Sequence, residues 1–125
     1  MTKISAAESH IMEALWRRGA LTPDEIVDAV GPANGRSRNT VRVMITKLLR
    51  KGAISSAREA DGRFLYRPLL GREDYVQAES QNLLDRLFEG QVAPLVAHFA
   101  AHRKLTAEDL EKLRALIAEL DNDAD

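Results

Sequence analysis

Near the N-terminus, apolar residues recur at intervals of three or four, the spacing of an amphipathic helix. Ser5 and Glu8 are three positions apart, as in a capping box, and Gly19 ends the apolar pattern. The sequence therefore predicts a first helix between Ser5 and Gly19. Its predicted inward stripe is Ile11, Leu15 and Trp16, with Ala7 and Met12 beside it.

A second helix of about two turns is predicted after Thr22. Thr22 is the predicted cap, Pro23 occupies the first helical position, where no N–H is needed, and Glu25 completes a capping box. The residues predicted to face inward are Ile26, Ala29 and Val30. A loop rich in glycine and proline follows over 31–35.

The third helix is predicted to begin after Ser37 and to stop at Gly52. Its predicted buried stripe is Val41, either Met44 or Ile45, Leu48 and, at the edge, Leu49. The remaining faces carry cations and amide or hydroxyl groups. Such a helix packs on one side and offers a polar, positively charged surface on the other.

Two short β-like segments follow at 54–57 and 64–69, with the Asp61-Gly62 pair between them. This pair tolerates the positive φ of a tight turn, so a two-stranded hairpin is predicted. Three helices followed by a hairpin is the order of elements in a winged helix-turn-helix. The sequence thus predicts a mainly α protein whose first domain, 1–70, has this fold.

Three more helices are predicted over 71–125, at 72–89, at 92–101 and from Thr106 onward. Short helices with so much apolar surface need a partner, and a second copy of the chain is the simplest one. We therefore predict a helical dimerisation domain, with a compact monomeric fold as the alternative. The predicted dimer residues are Tyr75, Leu83, Leu84, Leu87, Phe88, Leu95, Phe99, Leu110, Leu113 and Ile117.

Charge is unevenly distributed along the chain. Residues 1–70 hold twelve Lys or Arg and seven Asp or Glu, a net charge of +5, whereas 71–125 hold six and twelve, a net charge of −6. Within 36–67 the net charge is +7. A basic helix and hairpin suit the phosphates of duplex DNA, which attract cations whatever the base sequence.

Side chains at the front of the third helix are of the types that read base edges in the major groove, where Arg bonds guanine, Asn pairs with adenine and methyl groups touch thymine. The base-reading candidates are Arg38, Asn39, Thr40, Arg42, Val43 and Thr46. The candidates for phosphate contact are Lys47, Arg50, Arg58 and Arg63. Each has a local alternative, as a solvated charge, a cap or a hydroxyl bonded within its own helix.

Bulk composition narrows the class of protein. The chain is 45% hydrophobic and 30% charged, as globular proteins are, and has no cysteine, which excludes disulfides and thiolate chemistry. No stretch reaches the ~18 apolar residues of a membrane span, and no apolar leader precedes the first helix. We expect a cytoplasmic protein with no membrane insertion and no cofactor.

Three other functions fit parts of the sequence less well. An enzyme is disfavoured because the chain has no glycine-rich phosphate loop after a strand, no HExxH motif and no cysteine nucleophile. A metal-responsive regulator is disfavoured because His98 and His102 could supply two ligands from one helix face, but no third ligand lies near them in the sequence. A winged helix used only for protein contacts would not need a basic third helix, which this sequence has.

Four segments together form a specific combination of motifs: 4–16, ISAAESHIMEALW; 40–48, TVRVMITKL, with the following Lys51-Gly52; 64–69, FLYRPL; and 80–90, SQNLLDRLFEG. In this order they resemble the opening, the recognition helix, the wing exit and the start of the dimer region of the penicillinase repressor family. This family includes the methicillin-resistance and copper-responsive repressors. The resemblance covers nearly the whole chain.

The resemblance implies a homodimer that binds double-stranded, palindromic operator DNA and blocks transcription. It also implies control of β-lactamase or of another resistance or stress regulon, and release when a membrane-bound sensor protease triggers cleavage in the dimer region. The family's cleaved bond matches the bond between His98 and Phe99 in this chain, where His98 replaces the asparagine usual in the family. The copper-responsive branch uses C-terminal cysteines, which this chain lacks.

Overall fold

The computed structural model describes residues 3–123, which form six α-helices and one two-stranded sheet. The elements are α1 (Ala6–Arg18), α2 (Pro23–Val30), α3 (Arg38–Arg50), β1 (Ile54–Arg58), β2 (Phe64–Pro68), α4 (Arg72–Leu87), α5 (Val92–Ala101) and α6 (Ala107–Asp123). The chain divides into two units, one up to Gln77 and one from Ala78 onward. Within residues 3–123, no helix has the length and apolar character needed to cross a membrane.

The first two helices begin at the predicted capping boxes. The Glu8 backbone N–H donates to Ser5 Oγ at 3.1 Å, and the Ser5 N–H donates to the Glu8 carboxylate at 2.9 Å. The Thr22 and Glu25 pair repeats both bonds at 3.2 and 2.9 Å. These reciprocal bonds satisfy N–H groups that the first turn of a helix leaves free. Both predicted capping boxes are confirmed.

The core of the first unit joins the inner faces of α1, α2 and α3 to the start of β1. Its fully buried large side chains are Ile11, Met12, Leu15, Leu21, Ile26, Leu48, Ile54 and Val41. Both Met44 and Ile45 are buried as well, so α3 uses the two alternatives together. On α2 the prediction for Ala29 was wrong: Ala29 is exposed, and Val27 is buried with Ile26. Valine buries more apolar area than alanine, which favours this orientation of the helix.

The two strands form an antiparallel hairpin, as predicted. Its turn is closed by bonds from the Glu59 N–H to the Arg63 carbonyl at 2.8 Å and from the Gly62 N–H to the Glu59 carbonyl at 2.9 Å. Gly62 has a φ of 90°, which glycine adopts without steric cost. Leu21, between α1 and α2, exchanges backbone hydrogen bonds of 3.1 and 2.8 Å with Tyr66. The hairpin is therefore fixed to the helices through the sheet itself.

The start of α4 is attached to α1. The Trp16 indole N–H donates to the carbonyl of Leu70 at 2.8 Å, and the Trp16 and Tyr75 rings lie 5.4 Å apart. Arg72 pairs with Glu13 at 3.4 Å. Tyr75, one of the predicted dimer residues, is thus half-buried against its own chain.

The second unit has a different character, because none of its described residues is buried. The residues after α4 turn at Gly90, with a φ of 75°. At the start of α6, the Asp109 N–H donates to Thr106 Oγ1 at 3.0 Å, and the Thr106 N–H donates to the Asp109 carboxylate at 3.1 Å. These helices are locally well formed and leave much apolar surface uncovered.

Candidate nucleic-acid interface

α3 has one buried face and one exposed face. The buried residues are Val41, Met44, Ile45 and Leu48. The side chain of Ser37 caps the helix and accepts from the Thr40 N–H at 3.2 Å. All the α3 residues predicted to contact DNA are exposed: Arg38, Asn39, Thr40, Arg42, Val43, Thr46, Lys47 and Arg50.

Helix geometry orders these exposed residues around the axis. At about 100° per residue, the arc opposite the buried stripe is centred on Asn39, Thr46 and Arg50. Arg42 lies on one flank of this arc and Lys47 on the other. Val43 falls inside the arc and is 53% exposed, although it is apolar. The exposed arc therefore combines cations with an amide and two methyl-bearing side chains.

Three cations of α3 remain available to an external partner. Within residues 3–123, Arg42, Lys47 and Arg50 have no carboxylate within ion-pair distance. We call these three side chains the α3 cationic face. Because they are exposed and unpaired, their charge acts on whatever approaches the helix.

Arg42 also borders a cavity of about 260 Å³ between α2, α3 and β2. The other lining residues are Pro23, Ile45, Thr46 and Tyr66. Arg42 therefore lies beside open space on this flank of α3.

Arg38 lies at the first position of α3 and already has a partner. Its Nη1 is 2.5 Å from Asp24 Oδ1 at the start of α2. The two side chains are 54% and 73% exposed, so the pair is solvated and weak. Sequence reasoning did not anticipate Asp24. Arg38 must release this carboxylate, or share it, before it can bond a guanine.

The two threonines use their hydroxyls locally. Thr40 Oγ1 lies 3.0 Å from Ser37 Oγ at the cap, and Thr46 Oγ1 donates to the Arg42 carbonyl at 3.1 Å. A local contact was the alternative considered for Thr40, whereas the bond from Thr46 to its own helix was not predicted. Their methyl groups stay exposed and suit a thymine methyl better than a polar base edge.

Within the hairpin, the arginines are engaged by near neighbours. Arg63 Nε bonds Asp61 at 2.7 Å, Arg67 bonds Glu59 at 3.1 Å, and the Arg58 guanidinium lies 4.6 Å from the centre of the Phe64 ring. The Arg63 backbone N–H, then its side chain, lower the pKa of the Asp61 carboxyl below its usual value. Arg58 and Arg63, both predicted phosphate contacts, are exposed and partnered within their own chain.

Lys51, the C-cap residue of α3, has a structural role. Its Nζ lies 2.5 Å from the carboxylate of Glu8 and 2.9 Å from the carbonyl of Lys3. Glu8 is only 3% exposed. Burial acts to raise the pKa of Glu8, but hydrogen bonds from Lys51 and Ser5 outweigh it and leave the pKa below its usual value. Lys51 thus fastens the end of α3 to the start of α1.

The described helices of the second unit expose large apolar side chains. Among the predicted dimer residues, Leu83, Leu84, Phe88, Leu95 and Leu113 are half-buried. Others are mostly open: Leu87 59%, Phe99 41%, Leu110 40% and Ile117 56% exposed. Leu116 and Leu120, absent from the predicted set, are 51% and 58% exposed and extend the apolar surface of α6. Leu116 is three residues from Leu113, and Leu120 is three from Ile117, and this helical spacing could have indicated both.

The predicted cleavage position lies inside α5, whose bounds are Val92–Ala101. His98 and Phe99 are both exposed, and their rings meet edge-on at 5.7 Å. The His98 ring is also 6.2 Å from Phe88 and 4.4 Å from His102. Within residues 3–123, no three His, Cys, Asp or Glu side chains cluster as a metal site would require.

These features define a class of protein. The chain has a helix-turn-helix with a two-stranded wing, and its third helix buries one face and exposes cations on the other. These elements are typical of winged-helix DNA-binding proteins. The model of the family described as "Penicillinase repressor" matches residues 4–119. The chain belongs to the penicillinase repressor family of DNA-binding transcriptional repressors, as its motifs predicted.

Individual relatives agree with this family. The chain is 27% identical over 121 residues to the penicillinase repressor of Bacillus licheniformis, covering 96% of this chain and 93% of the relative. It is 28% identical over 116 residues to the methicillin resistance regulatory protein MecI of Staphylococcus aureus strain N315, covering 92% and 93%. A solution structure of monomeric Bacillus licheniformis BlaI in complex with the blaP half-operator matches with a TM-score of 0.54 and 27% identity, covering 59% of this chain and 89% of that one.

Proposed function

We propose that the protein represses transcription as a homodimer that sets two copies of α3 into successive major grooves of a palindromic operator. The observation that carries this proposal is the α3 cationic face, which is exposed and has no intramolecular ion pair within the described residues. The relative BlaI was studied as a monomer on half of an operator, which supports one protomer per half-site.

The geometry of α3 supports a division of roles among its exposed residues. Asn39, Val43 and Thr46 lie near the centre of the exposed arc, so we assign them to base edges. Arg42 flanks this arc beside an open cavity, and we assign it to a base edge as well. Lys47 and Arg50 lie in the last turn of the helix and bind phosphates.

The remaining candidates have secondary roles in the proposed complex. Arg38 reaches the DNA only when Asp24 releases it, and Thr40 offers a methyl group at the cap. Arg58 and Arg63 lie on the wing, where Asp61 partly offsets the positive charge, so we expect weaker phosphate contacts from them.

We assign dimerisation to residues 71–125 and DNA binding to residues 1–70. The apolar surfaces of α5 and α6 support this division, because exposed side chains such as Leu110, Ile117 and Leu120 need cover from water. A two-fold dimer buries the same patch on both subunits, and its symmetry matches that of a palindrome. Dimerisation also raises the affinity for the whole operator, because the two protomers bind their half-sites together.

Bound in this way, the dimer excludes polymerase from the promoter. The names of the relatives, a penicillinase repressor and a methicillin resistance regulator, support control of a β-lactamase or another resistance gene. In the proposed induction, a membrane sensor protease pathway leads to cleavage between His98 and Phe99. Proteases bind extended chain, so this bond reacts only after α5 opens locally.

Selection of genomic fragments by the purified protein, followed by footprinting, tests the proposal. We expect a protected palindrome with half-sites about one helical turn apart, or slightly more. A Lys47→Ala, Arg50→Ala double variant is the matched control, and it should enrich the same fragments far less at equal salt. Failure of the wild-type protein to enrich any palindrome contradicts the proposal.

The induction step has its own test. The intact mass of the protein recovered from cells exposed to a β-lactam should fall to that of fragments split between residues 98 and 99. A His98→Pro variant breaks α5 and should be cut faster by general proteases, which controls for exposure of the bond. An unchanged mass during full induction of the regulon contradicts cleavage.

A further inference from the structure

His98 and His102 are a pair of imidazoles on one side of the last turn of α5. They are four residues apart, both side chains are exposed, and their ring centres are 4.4 Å apart. Imidazole nitrogens at this helical spacing point the same way, as two ligands of one metal ion do. DNA binding uses neither residue, although His98 also precedes the proposed cleavage position.

The backbone fixes which nitrogen of His102 is free. His102 Nδ1 lies 2.9 Å from the carbonyl oxygen of His98. A carbonyl oxygen only accepts, so this bond requires a proton on Nδ1 and leaves the lone pair on Nε2. Metal-bound histidines usually donate their second ring N–H to a carbonyl or carboxylate in the same way. The bond therefore orients His102 for coordination through Nε2.

The distance between the rings suits a shared ion. With metal–nitrogen bonds of about 2.0–2.1 Å and a bond angle near a right angle or slightly more, the two ring centres are roughly 4.5–5 Å apart. The observed spacing of 4.4 Å is close to this value. His102 is also the C-cap of α5, and the partial negative charge at a helix C-terminus favours a cation there.

We propose that His98 and His102 chelate a divalent transition-metal ion of the zinc, nickel and copper class. Water fills the other coordination positions, since the described residues contain no third protein ligand in the cluster. The following Arg103 and Lys104 repel cations and keep the affinity modest. The chelate closes a loop over one turn of α5 and holds that turn helical across the peptide bond from His98 to Phe99.

The direct test is isothermal titration of the full-length protein with nickel chloride or zinc chloride alone at pH 7.5. We expect one ion per protomer. Alanine at His98 or His102 should weaken binding by at least roughly tenfold, because each removes one of two ligands. Copper should bind more tightly than nickel or zinc, following the general order of divalent metal affinities.

His10→Ala is the matched control, because His10 is also exposed on a helix but lies in α1, far along the chain from the pair. This variant should bind metal as the wild type does. Thermal unfolding by circular dichroism verifies that each variant is folded, and His102→Gln provides a second, larger replacement. The proposal is overturned if the wild type binds no metal, or if both His98 and His102 variants bind it unchanged.

Discussion

The ion pair between Lys51 and Glu8 makes the sharpest prediction about stability. Lys51→Met keeps the length of the side chain but removes the ammonium group from a carboxylate that is 3% exposed. Breaking a buried ion pair costs about 3–5 kcal/mol, because the remaining charge stays desolvated. Lys51 keeps 23% exposure and Ser5 still donates to the carboxylate, so we place the loss at or just below the lower end of that range, about 2–3 kcal/mol.

Arg50 is the matched control for this substitution. It is the neighbouring cation, is exposed and has no ion pair within residues 3–123. Arg50→Met should change the free energy of unfolding by no more than about 0.5 kcal/mol, and it should weaken DNA binding. Urea denaturation followed by circular dichroism measures both variants. Equal, small losses in the two variants would refute the structural role given to Lys51.

The same pair predicts how stability depends on pH. Because the pKa of Glu8 in the folded protein lies below its unfolded value of about 4.5, its contribution is complete above that pH and is lost as the pH falls through the folded pKa. In Lys51→Met, the ammonium group no longer offsets the cost of burying the charged Glu8 carboxylate, so protonation of Glu8 at low pH removes that cost. The difference in unfolding free energy between the two proteins should therefore shrink from pH 7 to pH 4. A difference that stays constant over this range would contradict the assignment.

The DNA face and the dimer make three further predictions. Arg42→Ala should cost about 1–3 kcal/mol of operator affinity and relax base preference in competition binding, and unchanged affinity would rule out base reading by this residue. Asp24→Asn frees Arg38 and removes a negative charge, so binding to random duplex should rise a few-fold more than binding to operator; an unaltered ratio would show that the pair has no part in specificity. Leu113→Lys should yield monomers in analytical ultracentrifugation and reduce operator affinity, and a monomer that binds like the wild type would disprove the coupling.

Features determined by neighbouring residues were predictable from the sequence. The capping boxes at Ser5 and Thr22 and the turn at Gly62 depend on groups within a few positions of one another, and the structure confirms them. The buried stripe of α3 was predictable from its helical spacing, because Val41 and Leu48 are two turns apart and therefore lie on the same face of the helix. The bond between Asp61 and Arg63 could have been found in the same way, because they are only two positions apart.

Features that depend on tertiary placement were not predictable. Lys51 and Glu8 are 43 positions apart, and nothing in the local sequence distinguishes Lys51 from Arg50 or Lys47 as the cation that turns inward. The pairing of Arg38 with Asp24 likewise requires α2 and α3 to be positioned first. A charge count therefore overstates the cations that are free to bind DNA. For the same reason, the spacing on α2 did not reveal that the helix turns Val27 inward instead of Ala29.

We propose that the α3 cationic face binds duplex DNA. Fluorescence anisotropy of a labelled duplex, titrated with the protein at rising sodium chloride concentration, measures this binding most directly. If each protomer neutralises two or three phosphates, log K should fall with log salt with a slope of about −4 to −5. The Lys47→Ala, Arg50→Ala variant should flatten that slope by about half or more. Absence of binding to any duplex at low ionic strength, or a slope that the double variant leaves unchanged, would contradict the claim.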